Sequence, residues 1–320
     1  MSLLNVESLT VDYQTRAGRV RAVDAVSFVI EKGETVGLVG ESGSGKSTLG
    51  HSIVRLIPPP GIVKNGKIWI EGKNILNITE EEMRSIRGSK VGYIFQDPTT
   101  SLNPVKNVGD HFIELIQQHQ PKCSNEEALN QTRKIFQDVG ILPERINDYP
   151  HQFSGGMRQR IMIGLATALN PDIVIADEPT TALDVIIQAK ILDLLLELRQ
   201  KHRMALILIT HDLGIIFENC ERIIVMYAGK FVEYANSIEL HRRPLHPYTK
   251  GLLQTIPNIE LADQKLESIS GSPPDMLNLP NGCPFWPRCP KVMKVCKRKE
   301  PEITQVRKNN GVRCFLYGGK

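Results

Sequence analysis

At 320 residues the chain has room for one large or two ordinary domains and enough length to bury a substantial core. A hydrophobic share of 41% and a charged share of 23% suit a soluble globular protein. No apolar run approaches the roughly 18 residues that a membrane helix needs. The net charge of +4 hides an asymmetry: residues 283–320 carry ten Lys and Arg against Glu300 and Glu302, a net +8, which leaves −4 for residues 1–282.

The N-terminal MSLLNVESLTVDY alternates like a strand and lacks the basic-then-apolar layout of a secretion signal, so a cytoplasmic setting is expected. LLNVESLTVDY and RAVDAVSFVIEKG read as two strands joined by a polar turn. ETVGLVG is a short buried strand running into a glycine-rich turn and the helix KSTLGHSIVRLI, residues 46–57. PPPGIVKNG breaks that helix, and KIWIEGKNI, residues 67–75, returns as a strand. A helical region follows over about residues 105–169, interrupted at QPKCSN and ILPERINDYPHQ. Then come the strand DIVIADEP, the helix VIIQAKILDLLLELRQKH, the strand ALILITHD, the helical LGIIFENC and the hairpin RIIVMYAGKFVEYA. Strands alternating with helices predict an α/β core with a mostly parallel sheet. From residue 236 onward prolines recur and long periodic segments disappear, which marks a separate C-terminal module over 236–320.

GESGSGKS, residues 40–47, fits the phosphate-loop pattern G-x-x-x-x-G-K-[ST], with a strand before it and a helix after it. Glycines let successive N–H groups turn toward phosphates at the positive end of a helix. Lys46 can reach the β- and γ-phosphates, and the Ser47 hydroxyl can ligate Mg²⁺. DIVIADEP supplies two consecutive carboxylates after a buried strand, Asp177 for the Mg²⁺ shell and Glu178 to polarise the attacking water. Burying such charges without a function is unfavourable. In FSGGMRQR, residues 153–160, Ser154 is a good N-cap, and Gly155 and Gly156 leave the start of the next helix open to close approach.

With these motifs the chain resembles the ATP-binding-cassette family, whose signature is usually written LSGGQ, over nearly all of residues 1–235. The resemblance implies a P-loop cassette fold with a mixed sheet core, a helical subdomain over about 97–165 and a small irregular cysteine-containing C-terminal extension. It also implies roles for single residues. Tyr13 stacks on adenine; Gly40, Ser42, Gly43, Gly45 and Thr48 join Lys46 and Ser47 around the phosphates. Gln96, in IFQDP, joins Ser47 and Asp177 at Mg²⁺, and His211, in LITHD, contacts the γ-phosphate. Ser154, Gly155, Gly156 and Asp184, of the ALD stretch at 182–184, contact the ATP held by a partner cassette. Phe153 and Met157 depart from the family's signature. Only one cassette is present, so a homodimer or heterodimer is expected.

EEMRSIRGSKVGYIFQDPTTSLNP, YPHQFSGGMRQR, HRRPLHPYTKGLL and SGSPPDM look like the dipeptide and oligopeptide importer branch, in particular its D-type ATPase subunit. That resemblance implies an F-type ATPase partner, two membrane permeases, an extracellular substrate-binding protein and a peripheral place on the cytoplasmic face of the membrane. ATP-driven closure of the dimer would then change the facing of the permeases. The SLNP turn and the helix after it would meet them. Nickel is the alternative cargo. A nucleic-acid-associated cassette is the alternative of a different class; it predicts steeply salt-dependent binding, and no nucleic acid is expected here.

Four of the six cysteines, Cys283, Cys289, Cys296 and Cys314, lie in the basic C-terminal segment with the spacing C-x₅-C-x₆-C-x₁₇-C. A reducing compartment argues against a disulfide framework. The spacing is looser than structural zinc knuckles use, which favours a four-thiolate 4Fe–4S cluster as first expectation, with zinc as second and four independent buried thiols as the remaining alternative. Some members of the importer branch carry such a cluster, and the surrounding positive charge would offset it. The cluster would staple a module with too small a core of its own. Loss of Cys289 is then expected to loosen residues 270–320 while leaving nucleotide affinity nearly intact.

Overall fold

The computed structural model describes residues 2–181, 183–255 and 269–318. Ala182 of the ALD stretch and Lys320 of the basic tail lie outside the described residues. The chain divides into two compact units. A P-loop unit is built from Ser2–Ile30, Thr35–Leu76 and Leu208–Lys320, and a helical unit from Glu31–Glu34 and Asn77–Ile207.

The P-loop unit opens with β1 (Leu4–Thr15) and β2 (Gly18–Ile30), paired antiparallel. Leu4, Val6, Leu9 and Val11 are at most 1% exposed, and a register shift between Val6 and Leu9 breaks the simple alternation of β1. β3 (Thr35–Val39) is buried at every residue, as a strand covered on both faces must be. Helix α1 (Lys46–Ile53) ends earlier than the sequence expectation of Ile57, with Val54 as its C-cap. Arg55, one residue past the C-cap, turns left-handed at φ +51°, and Leu56 N–H donates to His51 O at 2.8 Å and Arg55 N–H to Ser52 O at 3.1 Å, which closes the helix there. β4 (Gly61–Ile70) starts six residues before the expected Lys67, since β1 is long enough to pair with it as far as Tyr13↔Gly61. With β5 (Lys73–Asn74) these strands form a sheet of order β2-β1-β4-β5.

The helical unit begins with α2 (Glu80–Ile86), which the sequence reading did not anticipate. Its apolar periodicity is poor, but Thr79 and Glu82 form a reciprocal capping box at its start. β6 (Val91–Ile94) is followed by α3 (Pro98–Ser101), α4 (Val108–His119), α5 (Asn125–Asp138) and α6 (Gly155–Thr167). Asn107 and Ser124 cap α4 and α5. Phe112 and Phe136 meet edge-to-face at 5.3 Å, with Ile116 and Ala128 buried beside them. β7 (Ile173–Asp177) runs parallel to β6, and α7 (Val185–His202) leads to β8 (Ala205–Thr210), whose last three residues belong to the P-loop unit.

The remainder of the P-loop unit holds α8 (Leu213–Asn219), β9 (Arg222–Tyr227), β10 (Lys230–Asn236), α9 (Ser237–Arg242) and α10 (Pro247–Gln254). β9 lies parallel to β3 from Val36↔Arg222 to Val39↔Val225 and antiparallel to β10. Between Cys296 and Cys314 the cysteine-rich region forms a hairpin, β11 (Thr304–Arg307) and β12 (Asn310–Val312), and β12 pairs with β10 through Glu233↔Val312. The strand order here is β11-β12-β10-β9-β3. Parallel and antiparallel pairs therefore coexist, and the fold is mixed α/β with a helical subdomain and a small C-terminal cysteine-containing region. Among the described residues no helix is long and apolar enough to cross a membrane.

Candidate functional site

In the P-loop unit the glycine-rich loop leaves β3 and enters α1 at Lys46. Gly45 occupies the N-cap with φ +104°, and a Cβ there would lie 2.0 Å from the Ala22 carbonyl oxygen, so only glycine fits. No side chain caps the start of α1. The Lys46 ammonium is folded onto the loop, donating to the carbonyls of Gly40 at 2.8 Å and Glu41 at 3.0 Å. This is a cradle of donors and positive charge with the chemistry of a phosphate site. The Tyr13 and Thr48 hydroxyls lie 3.4 Å apart, so the residue assigned to adenine sits beside α1. His211 follows β8 and is exposed; Asp212 next to it caps α8 by accepting from Gly214 N–H at 2.8 Å.

In the helical unit, Asp177 closes β7 and is 2% exposed. The Tyr93 hydroxyl on β6 donates to its Oδ2 at 2.9 Å. Burial, and then the Asp177 charge, push the Tyr93 hydroxyl far above the ordinary tyrosine range, so it remains a donor. Glu178 adopts a left-handed backbone with φ +45°, a strained conformation for a non-glycine residue. Its carboxylate accepts from the Thr181 hydroxyl at 2.8 Å and from Gln96 Nε2 at 3.4 Å. Gln96 and Glu178, 82 residues apart in sequence, are thus brought together. Tyr93 and Thr181 escaped the sequence reading; a tyrosine one residue inside a buried strand carries no local signal of its partner.

Ser154 is the N-cap of α6, its hydroxyl accepting from Met157 N–H at 3.4 Å. Gly156 faces α7, where a Cβ would meet Ile187 Cγ2 at 2.7 Å, while Gly155 is the roomier position, with Leu183 Cδ2 at 3.7 Å. Asp184 caps α7, accepting from Ile187 N–H at 3.0 Å. The two departures from the family signature share one partner. Arg145 lies 4.1 Å over the Phe153 ring and donates to Met157 Sδ at 3.5 Å.

The expectation for Cys283, Cys289, Cys296 and Cys314 is corrected. Among the described residues no group of three or more His, Cys, Asp or Glu side chains is arranged to hold a metal ion, so neither the 4Fe–4S cluster nor zinc stands. All six cysteines are free thiols. Burial raises the Cys283, Cys289 and Cys314 thiols above the ordinary range, Cys283 to about 11. Cys296, 8% exposed, packs as a small apolar residue. Backbone bonds and aromatic packing hold the loop. Cys283 N–H donates to Cys296 O at 2.9 Å, and Phe285 packs against Tyr227 and Tyr248 at 5.2 and 5.5 Å.

Comparison with known proteins agrees with this geometry. The ABC transporter family model matches residues 23–181, and the model for the C-terminal region of oligopeptide/dipeptide transporters matches residues 232–296. The dipeptide transport ATP-binding protein DppD of Bacillus subtilis is 47% identical over 98% of this chain and 94% of its own length. The DppD protein of Escherichia coli is 44% identical over 98% of this chain and 96% of its own. Among solved structures, the dimeric post-hydrolysis state of the cassette MJ0796, bound to ADP and Pi, superposes with a TM-score of 0.66 at 28% identity. It covers 73% of this chain and 98% of that one.

Proposed function

The chain belongs to the ATP-binding subunits of the dipeptide and oligopeptide ABC importers, and we propose that it supplies the power stroke for peptide uptake by binding and hydrolysing ATP. The observation that carries the catalytic reading is Glu178. It follows the buried Asp177 directly, sits on strained backbone and is oriented by Gln96 and Thr181. A carboxylate held in this way can align a water for attack on a γ-phosphate.

In this reading Lys46 and the first amides of α1 take the phosphates, with Gly40, Ser42, Gly43, Gly45 and Thr48 shaping the loop and Tyr13 against the adenine. Mg²⁺, when bound, offsets the charge shared by the β- and γ-phosphates. Ser47, Gln96 and Asp177 are the side chains that would hold it, and the hydrogen bond from Tyr93 aims Asp177. His211 senses the γ-phosphate. Ser154, Gly155, Gly156 and Asp184 contact the ATP of the partner cassette. That partner is an F-type ATPase subunit or a second copy of this chain. Residues 1–235 act as the cassette and 236–320 as an appended region.

The working assembly adds two membrane permeases and an extracellular peptide-binding protein, with the cassette subunit peripheral on the cytoplasmic face. The test is reconstitution in liposomes with those components. ATPase activity is expected to rise when peptide-loaded binding protein is added. Stimulation by DNA or RNA, with no response to the permeases, overturns the assignment.

A further inference from the structure

Glu41, the second residue of the phosphate loop, is engaged through its amide, its carbonyl and its carboxylate. Its N–H donates to the Tyr248 hydroxyl at 2.9 Å. Its carbonyl accepts from Lys46 Nζ at 3.0 Å and from Ser44 N–H at 3.2 Å. Its carboxylate takes the Arg288 guanidinium in a two-pronged pair, Nη1 to Oε2 at 2.7 Å and Nη2 to Oε1 at 2.9 Å. Arg288 is 6% exposed in its side chain and spends its other donors on Ser270 O at 3.0 Å and the Tyr227 hydroxyl at 3.4 Å. It lies on the short turn Trp286–Arg288, between Cys283 and Cys289. The cysteine-rich loop is therefore bonded to the phosphate loop, which the sequence reading had taken as independent of it.

Two physical consequences follow. Gly40, Gly43 and Gly45 all have positive φ, and a loop with this much backbone freedom loses entropy when it is ordered around a ligand. A restraint at Glu41 orders the loop beforehand. The Glu41 carboxylate is also a negative charge within a loop that must accept a triphosphate, and the part-buried two-pronged pair offsets it.

We propose that Arg288 is a positioning residue for ATP binding: acting through Glu41, it holds the phosphate loop in its receiving shape and neutralises a carboxylate that otherwise repels the phosphates. The proposal rests on the reading that this loop binds ATP. The Cys283–Cys289 segment thereby sets nucleotide affinity.

The experiment uses the full chain, a fluorescent ATP analogue with Mg²⁺, and thermal melts of each variant. Arg288→Met is expected to weaken binding about tenfold at a temperature where the variant is folded. Adding Glu41→Gln to Arg288→Met is expected to restore affinity to within about threefold of wild type, because the orphaned charge is gone. A purely structural role predicts no such recovery. Arg288→Lys keeps the charge but loses the fork, and an intermediate loss is expected. Arg288→Met or Arg288→Lys binding as tightly as wild type overturns the proposal, as does a double variant no better than Arg288→Met. Should Arg288→Met not fold, Arg288→Lys alone decides in the same terms. Wild type failing to bind the analogue refutes the ATP reading of the loop, a separate result.

Discussion

His246 lies at the N-cap of α10, 2% exposed, with its Nδ1 accepting the Tyr248 N–H at 3.0 Å. That bond requires an unprotonated Nδ1. Burial, assisted by the charge of Lys250, pushes the imidazole down to about 3. The folded protein thus refuses a proton that the unfolded chain accepts below about 6.5. Stability is fully present above that value and is lost as the pH falls toward 3. Between pH 8 and pH 5 the loss attributable to this group is about 2 kcal/mol. The nearby Glu233 carboxylate accepts from the Leu245 and His246 amides, both at 2.8 Å, and burial raises its own value. Its contribution has the opposite dependence, falling as the pH rises through the acid range. A comparison between wild type and His246→Asn cancels the Glu233 term, because asparagine keeps a cap acceptor without a titrating group. Urea unfolding followed by tryptophan fluorescence at pH 8, 6.5 and 5 is the assay. Wild type is expected to lose about 2 kcal/mol more than the variant across that range. Parallel pH curves for the two proteins would refute a buried neutral His246.

Tyr93→Phe removes the donor to the buried Asp177, and a loss of about 1.5–3 kcal/mol in stability, with a higher Mg²⁺ requirement for ATPase activity, is expected from denaturation and Mg²⁺ titration. Glu178→Gln should lower ATP hydrolysis by about a hundredfold or more while leaving ATP affinity close to wild type, measured by phosphate release and by nucleotide titration. Gly156→Ala drives a Cβ to 2.7 Å from Ile187 Cγ2 and should destabilise by about 1–3 kcal/mol. A second change, Ile187→Ala, should recover part of that loss in thermal melts.

The cassette motifs were legible in the sequence because each is contiguous. A strand, a glycine turn and Lys46 stand in one run, and so do Asp177 with Glu178 and Ser154 with Gly155 and Gly156. The structure adds why particular members are irreplaceable, such as the Ala22 carbonyl that admits only glycine at position 45. Short elements with few apolar residues were less legible. α2 buries only Met83, and β11 is largely exposed, so neither carries a clear hydrophobic period.

By itself the sequence determined the cassette class, the order of its motifs and the importer branch, since these depend on residues within a few positions of one another. Tertiary structure alone decided the pairs that join distant segments: Gln96 with Glu178, Tyr93 with Asp177, and Arg288 with Glu41 across 247 positions. It also decided against a metal centre at the four cysteines. Spacing constrains which thiols can approach one another, but the position and direction of each side chain arise only once the chain has packed.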